Sequence, residues 1–161
     1  MMADLETARL TITPFTPALA GAALTGRAPL GHALGMRVPD DWLPDDSEEI
    51  LPLIAAMVRG GPTEGADVRW GWWLILHRAE RTLIGDVSVR PSRDGTGTVE
   101  IGYGMVPAYQ GHGYATEAAG AVLAWTLRQP GVARVVACCL RDNRASRRVL
   151  YDAGQGHGSP A

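Results

Sequence analysis

The sequence predicts an α/β (α+β) domain whose central sheet is mixed, largely antiparallel and flanked by helices. Three observations predict it. Strand-like stretches at Trp70–His77, Leu83–Val89 and Thr98–Val106 follow one another with only short turns between them, as in an antiparallel meander. The third runs through a glycine-rich turn into a helix and a further strand at Val132–Leu140, a strand–helix–strand crossover. Two more helical stretches stand between an opening strand and the meander.

Leu10–Phe15 (LTITPF) alternates apolar and polar residues and reads as the first strand, with Pro14 placing it at an edge or ending it. Thr16 is an N-cap with Pro17 in the first helical position, and the Ala-rich helix that follows runs to about Thr25 and stops near Gly26. Leu30–Asp46, with Pro39, Pro44 and two acidic pairs, reads as loop. Ser47 with Glu48 and Glu49 starts a helix that runs to about Arg59, before Gly60–Gly61–Pro62. Trp70–His77 is aromatic and aliphatic, hence a strand. Arg78–Arg81 turns it, Leu83–Val89 returns, and the Asp-Gly turn in Pro91–Gly97 leads to Thr98–Val106. Thr116–Gln129 is a helix stopped by Pro130 and Gly131. After Val132–Leu140, Asn143 caps a last helix through Asp152, ended by Gly154.

The 161 residues make one domain, 1–161, large enough to bury a core. A net charge of −2 gives no reason to expect nucleic acid or an anionic membrane as partner. No apolar run approaches the roughly 18 residues that span a bilayer, and Asp4 and Glu6 come too early for a signal peptide. Cys138 and Cys139 are adjacent on a strand and point to opposite faces, so they read as buried small hydrophobes in a reducing, cytoplasmic setting. His32, His77, His112 and His157 show no metal-ligand spacing, so no metal is expected.

The chemistry concentrates at Gln110–Gly111–His112–Gly113–Tyr114–Ala115, between a strand and a helix. Two glycines let the backbone approach a ligand closely, and the first helical N–H groups face it unpaired with the positive end of the helix dipole behind them. Such a turn suits a phosphate or pyrophosphate. It is not a Walker loop, because Gly113 is followed by Tyr114 and Ala115 rather than Lys and Ser or Thr, and a dinucleotide fingerprint needs a third glycine where Thr116 stands.

Gln110, Gly113 and Ala115 fit Gln/Arg-x-x-Gly-x-Gly/Ala, and in that position they resemble the acyl-coenzyme A loop of the GNAT superfamily of N-acetyltransferases. The resemblance extends from about Leu5 to Gly154. Glu6–Leu10 (ETARL) resembles the start of the branch that includes ribosomal-protein N-terminal acetyltransferases, Leu83–Asp86 its third strand and Val99–Tyr103 its fourth. Asn143–Ser146, with Val149, Leu150, Ala153 and Gly154, resembles its last signature block. The resemblance implies the GNAT acyl-coenzyme A N-acyltransferase fold and an enzyme that moves an acetyl group from acetyl-coenzyme A to a primary amine. Gly111, His112, Gly113, Tyr114, Ala115 and Thr116, after Gln110, would hold the pyrophosphate. Met105 and Val106 would pair their backbone with the pantetheine arm like an added strand, and Asn143 would touch the same arm.

Acetyl transfer needs a neutral amine, a polarised thioester and a proton for the leaving thiolate. Glu100 is the candidate base, because alternation puts it on one face with Gly102, Gly104 and Val106, where two glycines leave room for an acceptor. A backbone N–H near Val106 would polarise the acetyl oxygen. The family often places a tyrosine proton donor where Leu150 stands here. Tyr151 is rotated by about 100° from that point, so Ser146 is the candidate donor; Asp86 and His112 rank behind it. The acidic stretch Asp40–Glu49 would attract a cationic acceptor, and Trp42, Trp70, Trp72 and Trp73 are core or cleft wall.

The family normally continues past Gly154 with an aromatic residue and two strands, whereas Gln155–Ala161 is short and glycine-rich. Two expectations follow: the strand Val132–Leu140 has an open edge that a second copy covers as a homodimer, and the acceptor cleft is altered. The alternative to an acetyltransferase is an acyl-coenzyme A-binding or catalytically weak module.

Overall fold

The computed structural model describes residues 3–42, 71–92 and 94–137. Expectations that fall elsewhere lie outside the described residues. They concern the helix from Ser47, Trp70, the cysteine pair, the helix from Asn143, Ser146 and Tyr151, and the tail with the open edge and dimer drawn from it.

Among the described residues six strands form one sheet in sequence order: β1 (Leu5–Glu6), β2 (Leu10–Pro14), β3 (Trp72–His77), β4 (Thr82–Pro91), β5 (Thr98–Met105) and β6 (Arg134–Ala137). Neighbours from β1 to β5 are antiparallel, and β6 pairs parallel to β5 over Thr98–Ile101 and Arg134–Ala137. Helices α1 (Pro17–Thr25) and α2 (Arg27–Leu34) precede β3, and α3 (Tyr114–Leu127) makes the crossover from β5 to β6. This is the mixed, largely antiparallel sheet with helices on both faces that the sequence predicts. No helix among the described residues is long and apolar enough to cross a membrane.

Two apolar layers hold it together. On one side Phe15, Ala20, Ala23 and Leu30 pack with Trp42, Leu74, Leu76, Leu83 and Val106. On the other, Ala118 and Val122 of α3 meet Leu10, Ile12, Trp73, Ile75, Val87, Val99 and Ile101. Successive strand residues point to opposite faces, so Leu74 belongs to the first layer and Trp73 and Ile75 to the second. Both faces of β3 are therefore covered, which is why it reads as a continuous apolar run. Trp125 seats α3 with its ring edge on Trp73, the centroids 5.0 Å apart.

The Thr16 cap is present, its side chain accepting from the Leu19 N–H at 3.2 Å. The loop expected from Leu30 is corrected: residues 27–34 form α2, ended by Gly35 in the left-handed conformation at φ 66°. Pro29 falls in the first turn of α2, where no intrahelical N–H is needed, so it does not break the helix, and Leu30 is fully buried. Helix α3 starts two residues earlier than expected, at Tyr114, straight after Gly113 at φ 82°.

Candidate functional site

The turn between β5 and α3 is a short 3-10 segment, Pro107–Tyr109, followed by Gln110–Gly113. Gly111 and Gly113 both have positive φ, at 79° and 82°, a conformation that side-chain-bearing residues rarely adopt. The backbone is thereby turned so that the N–H groups of residues 111–116 have no hydrogen-bond partner among the described residues, while the Glu117 N–H closes the first helical turn on the Gly113 carbonyl. Gly111, His112 and Gly113 are exposed. An open cluster of N–H donors at the start of a 14-residue helix is suited to an anion.

The loop is held from a distance. The guanidinium of Arg9 donates through Nε to Glu117 Oε2 at 2.8 Å and through Nη1 to the His112 carbonyl at 3.1 Å, and lies 4.3 Å over the Tyr114 ring. The same Glu117 carboxylate accepts from the Arg9 backbone N–H at 2.8 Å and from the Thr7 hydroxyl. Arg78 clamps the β1–β2 turn that carries both residues, donating to the carbonyls of Thr7 and Ala8 at 2.6 and 2.7 Å. Burial pushes the Glu117 carboxyl up, but these donors together with the Arg9 charge bring it below its ordinary value, so Glu117 is held ionised. Tyr114 is fixed from its other end by His77, whose Nε2 lies 3.0 Å from the phenol oxygen. His77 Nδ1 accepts from the Glu80 N–H at 3.1 Å, which leaves Nε2 as the donor in the neutral ring.

Beside the loop, the pairing of β5 with β6 is described over Thr98–Ile101, up to Ala137, where the described residues end, and no described residue pairs with the edge from Gly102 to Met105. Alternation along the β4–β5 ladder aims the Met105 N–H and C=O at that edge. The carbonyl accepts from Gln110 Nε2 at 3.2 Å, and the N–H has no partner among the described residues. Val106 is differently placed: its N–H donates to the Ile84 carbonyl at 2.8 Å, and its carbonyl accepts from the Tyr109 N–H.

The face of β5 away from α3 carries Glu100, Gly102 and Gly104, opposite Arg90, Ser88 and Asp86 of β4. Glu100 is 45% exposed in its side chain and lies 3.9 Å from Arg90, a loose surface pair. Asp86 is the reverse. It is 8% exposed, and the chain keeps the space above it clear: a Cβ on Gly104 would stand 3.5 Å from both carboxylate oxygens. Desolvation pushes its pKa up to about 7, against the lowering effect of the indole N–H groups of Trp72 and Trp42. Trp42 Nε1 is itself buried and makes no hydrogen bond of full geometry. The sequence ranks Asp86 below Glu100; in the structure the aim of Asp86 depends on a β-bulge. Leu76 pairs with Leu83 and Ile75 with Gly85, so Ile84 is the extra residue and the alternation resets just before Asp86. The available signal is a single acid in the apolar run of β4, with glycines at matching positions on β5.

Residues 9–155 match the model of the acetyltransferase (GNAT) domain family. Two curated relatives, both named uncharacterized N-acetyltransferases of Bacillus subtilis (strain 168), are similar over part of the chain. YnaD is 38% identical over 80 residues, 50% of this chain and 46% of its own length; YoaA is 31% identical over 91 residues, 56% and 50%. The chain thus matches about half the length of these relatives. Among solved structures, RimL, a ribosomal-protein α-N-acetyltransferase in complex with coenzyme A, superposes with a TM-score of 0.60 at 20% identity, covering 94% of this chain and 82% of that one. An acetyltransferase from Agrobacterium tumefaciens gives 0.63 at 21% identity, covering 96% and 84%. At these identities the likeness is one of fold.

Proposed function

Because the chain belongs to the acetyltransferase (GNAT) domain family, we propose that it transfers the acetyl group of acetyl-coenzyme A to a primary amine, a protein N-terminus or a small amine. The amine attacks directly while both substrates are bound, and the reaction is cytoplasmic. The observation that carries this reading is the meeting of two sets of backbone donors without a partner among the described residues, the N–H groups of residues 111–116 and the Met105 N–H on the side of β5 away from β4. A pyrophosphate fits the first set, and an extended amide-bearing arm fits the second as an added strand. Acetyl-coenzyme A supplies the activated thioester. Gly111–Thr116 hold its phosphates, with Gln110 bracing the turn and Met105 facing the arm; Val106, its N–H tied to Ile84, supports that position from within the fold. Asn143 and Ser146 complete the site as contact to the arm and proton donor. Glu100, at the exposed end of the polar face, meets the positively charged acceptor.

Calorimetric titration with acetyl-coenzyme A and, separately, coenzyme A tests the reading. Micromolar binding of both is expected, followed by acetyl transfer to amines in a panel of N-terminal peptides and small amines. No binding at millimolar ligand overturns it. Binding with no transfer to any amine reduces it to an acyl-coenzyme A-binding module.

A further inference from the structure

We propose that Asp86, and not Glu100, is the base that takes the proton from the acceptor amine. The proposal rests on the acetyltransferase reading above and adds a catalytic residue to it. Its ground is geometric. Gly104 and Asp86 are cross-strand partners on the face opposite α3, and the missing side chain of Gly104 leaves the Asp86 carboxylate open toward β5. The residue after Gly104 is Met105, whose backbone N–H faces away from β4 and has no partner among the described residues. A carboxylate and an N–H donor thus flank a single glycine, one placed to accept a proton and the other to accept charge on an acyl oxygen.

The surroundings fit that task. Trp72 and Trp42 both turn indole N–H groups toward the carboxylate, and neither carries a charge that would hold it permanently ionised. The Trp42 contact falls short of full hydrogen-bond geometry, so among the described residues it holds the carboxylate only loosely. Glu100 and Arg90 stand at the far, exposed end of the same face and pair with each other. The helices packed on this face bring Arg27 and His32 as their ionisable side chains, and Asp40 and Asp41 precede Trp42. A carboxyl that titrates near neutrality is ionised often enough to accept a proton from an amine and weak enough as an acid to hold it.

In the step, Asp86 takes one proton from the acceptor ammonium. The freed nitrogen lone pair forms the new C–N bond at the thioester carbon, and the C–S bond breaks with its electrons on sulfur. The departing sulfur takes a proton from the proton donor and leaves as a thiol, and a second nitrogen proton restores that donor. The third stays on the amide, and Asp86 returns its proton to solvent, so one proton is released per turnover.

The test compares wild type, Asp86→Asn, Asp86→Glu and Glu100→Gln. Each is titrated with acetyl-coenzyme A and assayed from pH 6 to 9 with a peptide bearing a free N-terminal serine and with a panel of small primary amines. Asp86→Asn is expected to lower kcat at least 100-fold while acetyl-coenzyme A affinity stays within threefold. It also removes the rise in rate through pH 7 that wild type shows. Asp86→Glu retains part of kcat with that limb displaced. Glu100→Gln loses less than tenfold and keeps the limb. An active wild type whose Asp86→Asn variant keeps kcat within fivefold overturns the assignment. Loss of the limb in Glu100→Gln instead moves the base to Glu100 and overturns it equally. Wild type that binds acetyl-coenzyme A without acetylating any amine overturns base and reaction together, and wild type that does not bind overturns the proposed function itself.

Discussion

Asp86 and Glu117 are two carboxyls on opposite faces of one sheet, both partly withdrawn from water, and they are driven in opposite directions. Burial pushes both up. At Glu117 the Thr7 hydroxyl, the Arg9 N–H and the Arg9 guanidinium outweigh it, and the group stays charged. At Asp86 two indole N–H groups do not, and the group titrates near 7. The difference lies in the partners: a full positive charge fixes a carboxylate as a strut, whereas neutral donors leave it able to change state. One anchors the glycine turn before α3, and the other is the group proposed above as the base.

Stability against pH sharpens the comparison most. Asp86 is harder to ionise folded than unfolded, so the unfolded state binds fewer protons between pH 4 and 7 and stability falls as pH rises through that window. Asp86→Asn is therefore expected to be more stable than wild type at pH 8. The gain is up to about 4 kcal/mol, from roughly three pKa units at about 1.4 kcal/mol each. It shrinks toward zero below pH 4, which urea denaturation across the pH range checks. A less stable variant at pH 8 would mean that Asp86 is held ionised like Glu117.

Next in size is Gly85→Ala, expected to cost about 2 kcal/mol. The new Cβ would run into the Gly104 carbonyl oxygen and force β4 and β5 apart beside Asp86. Thermal unfolding measures it, and a neutral result would show that the two strands have room to spare there. Glu117→Gln is expected to lose about 1.5 kcal/mol at pH 7, in line with hydrogen bonds to a charged group. Because the Glu117 pKa is lowered, this contribution is present above the ordinary carboxylate range and is lost as pH falls through the folded value. Acetyl-coenzyme A affinity should fall about tenfold as the Arg9 contact to the His112 carbonyl slackens, on the scale of roughly 1.4 kcal/mol; unchanged affinity would reduce Glu117 to a surface group. The smallest stability effect belongs to Gly104→Ala, within about 0.5 kcal/mol, since its methyl makes ordinary contact at 3.5 Å. Its kcat/KM for an amine should nevertheless fall more than tenfold, because that methyl covers the Asp86 carboxylate.

The meander, the crossover and the glycine turn before α3 were legible because their signals are local. Alternation marks the strands, Thr16–Pro17 starts α1, and Gly113 precedes the helix that Pro130 follows. Helix α2 was hidden by its own punctuation: Gly26, Pro29, Gly31 and Gly35 crowd ten residues, yet Gly26 and Gly35 sit at its ends and Pro29 in its first turn. Glu100 was legible as a carboxylate on a glycine face. Its distance from the buried end of that face was not, because the bulge at Ile84 decides that Asp86 shares it. The Arg9–Glu117 contact spans 108 residues and leaves no local pattern.

That long-range contact orders events during folding. The meander from Trp72 to Met105 closes through near neighbours in the chain, whereas the bracing of the glycine turn is complete only when the β1–β2 turn reaches the start of α3. Contacts of such separation form late, after the loop-closure entropy between them has been overcome. A nascent chain can therefore hold its sheet before its anion loop is set, and ligand competence becomes a late report that both ends of the described fold have found each other.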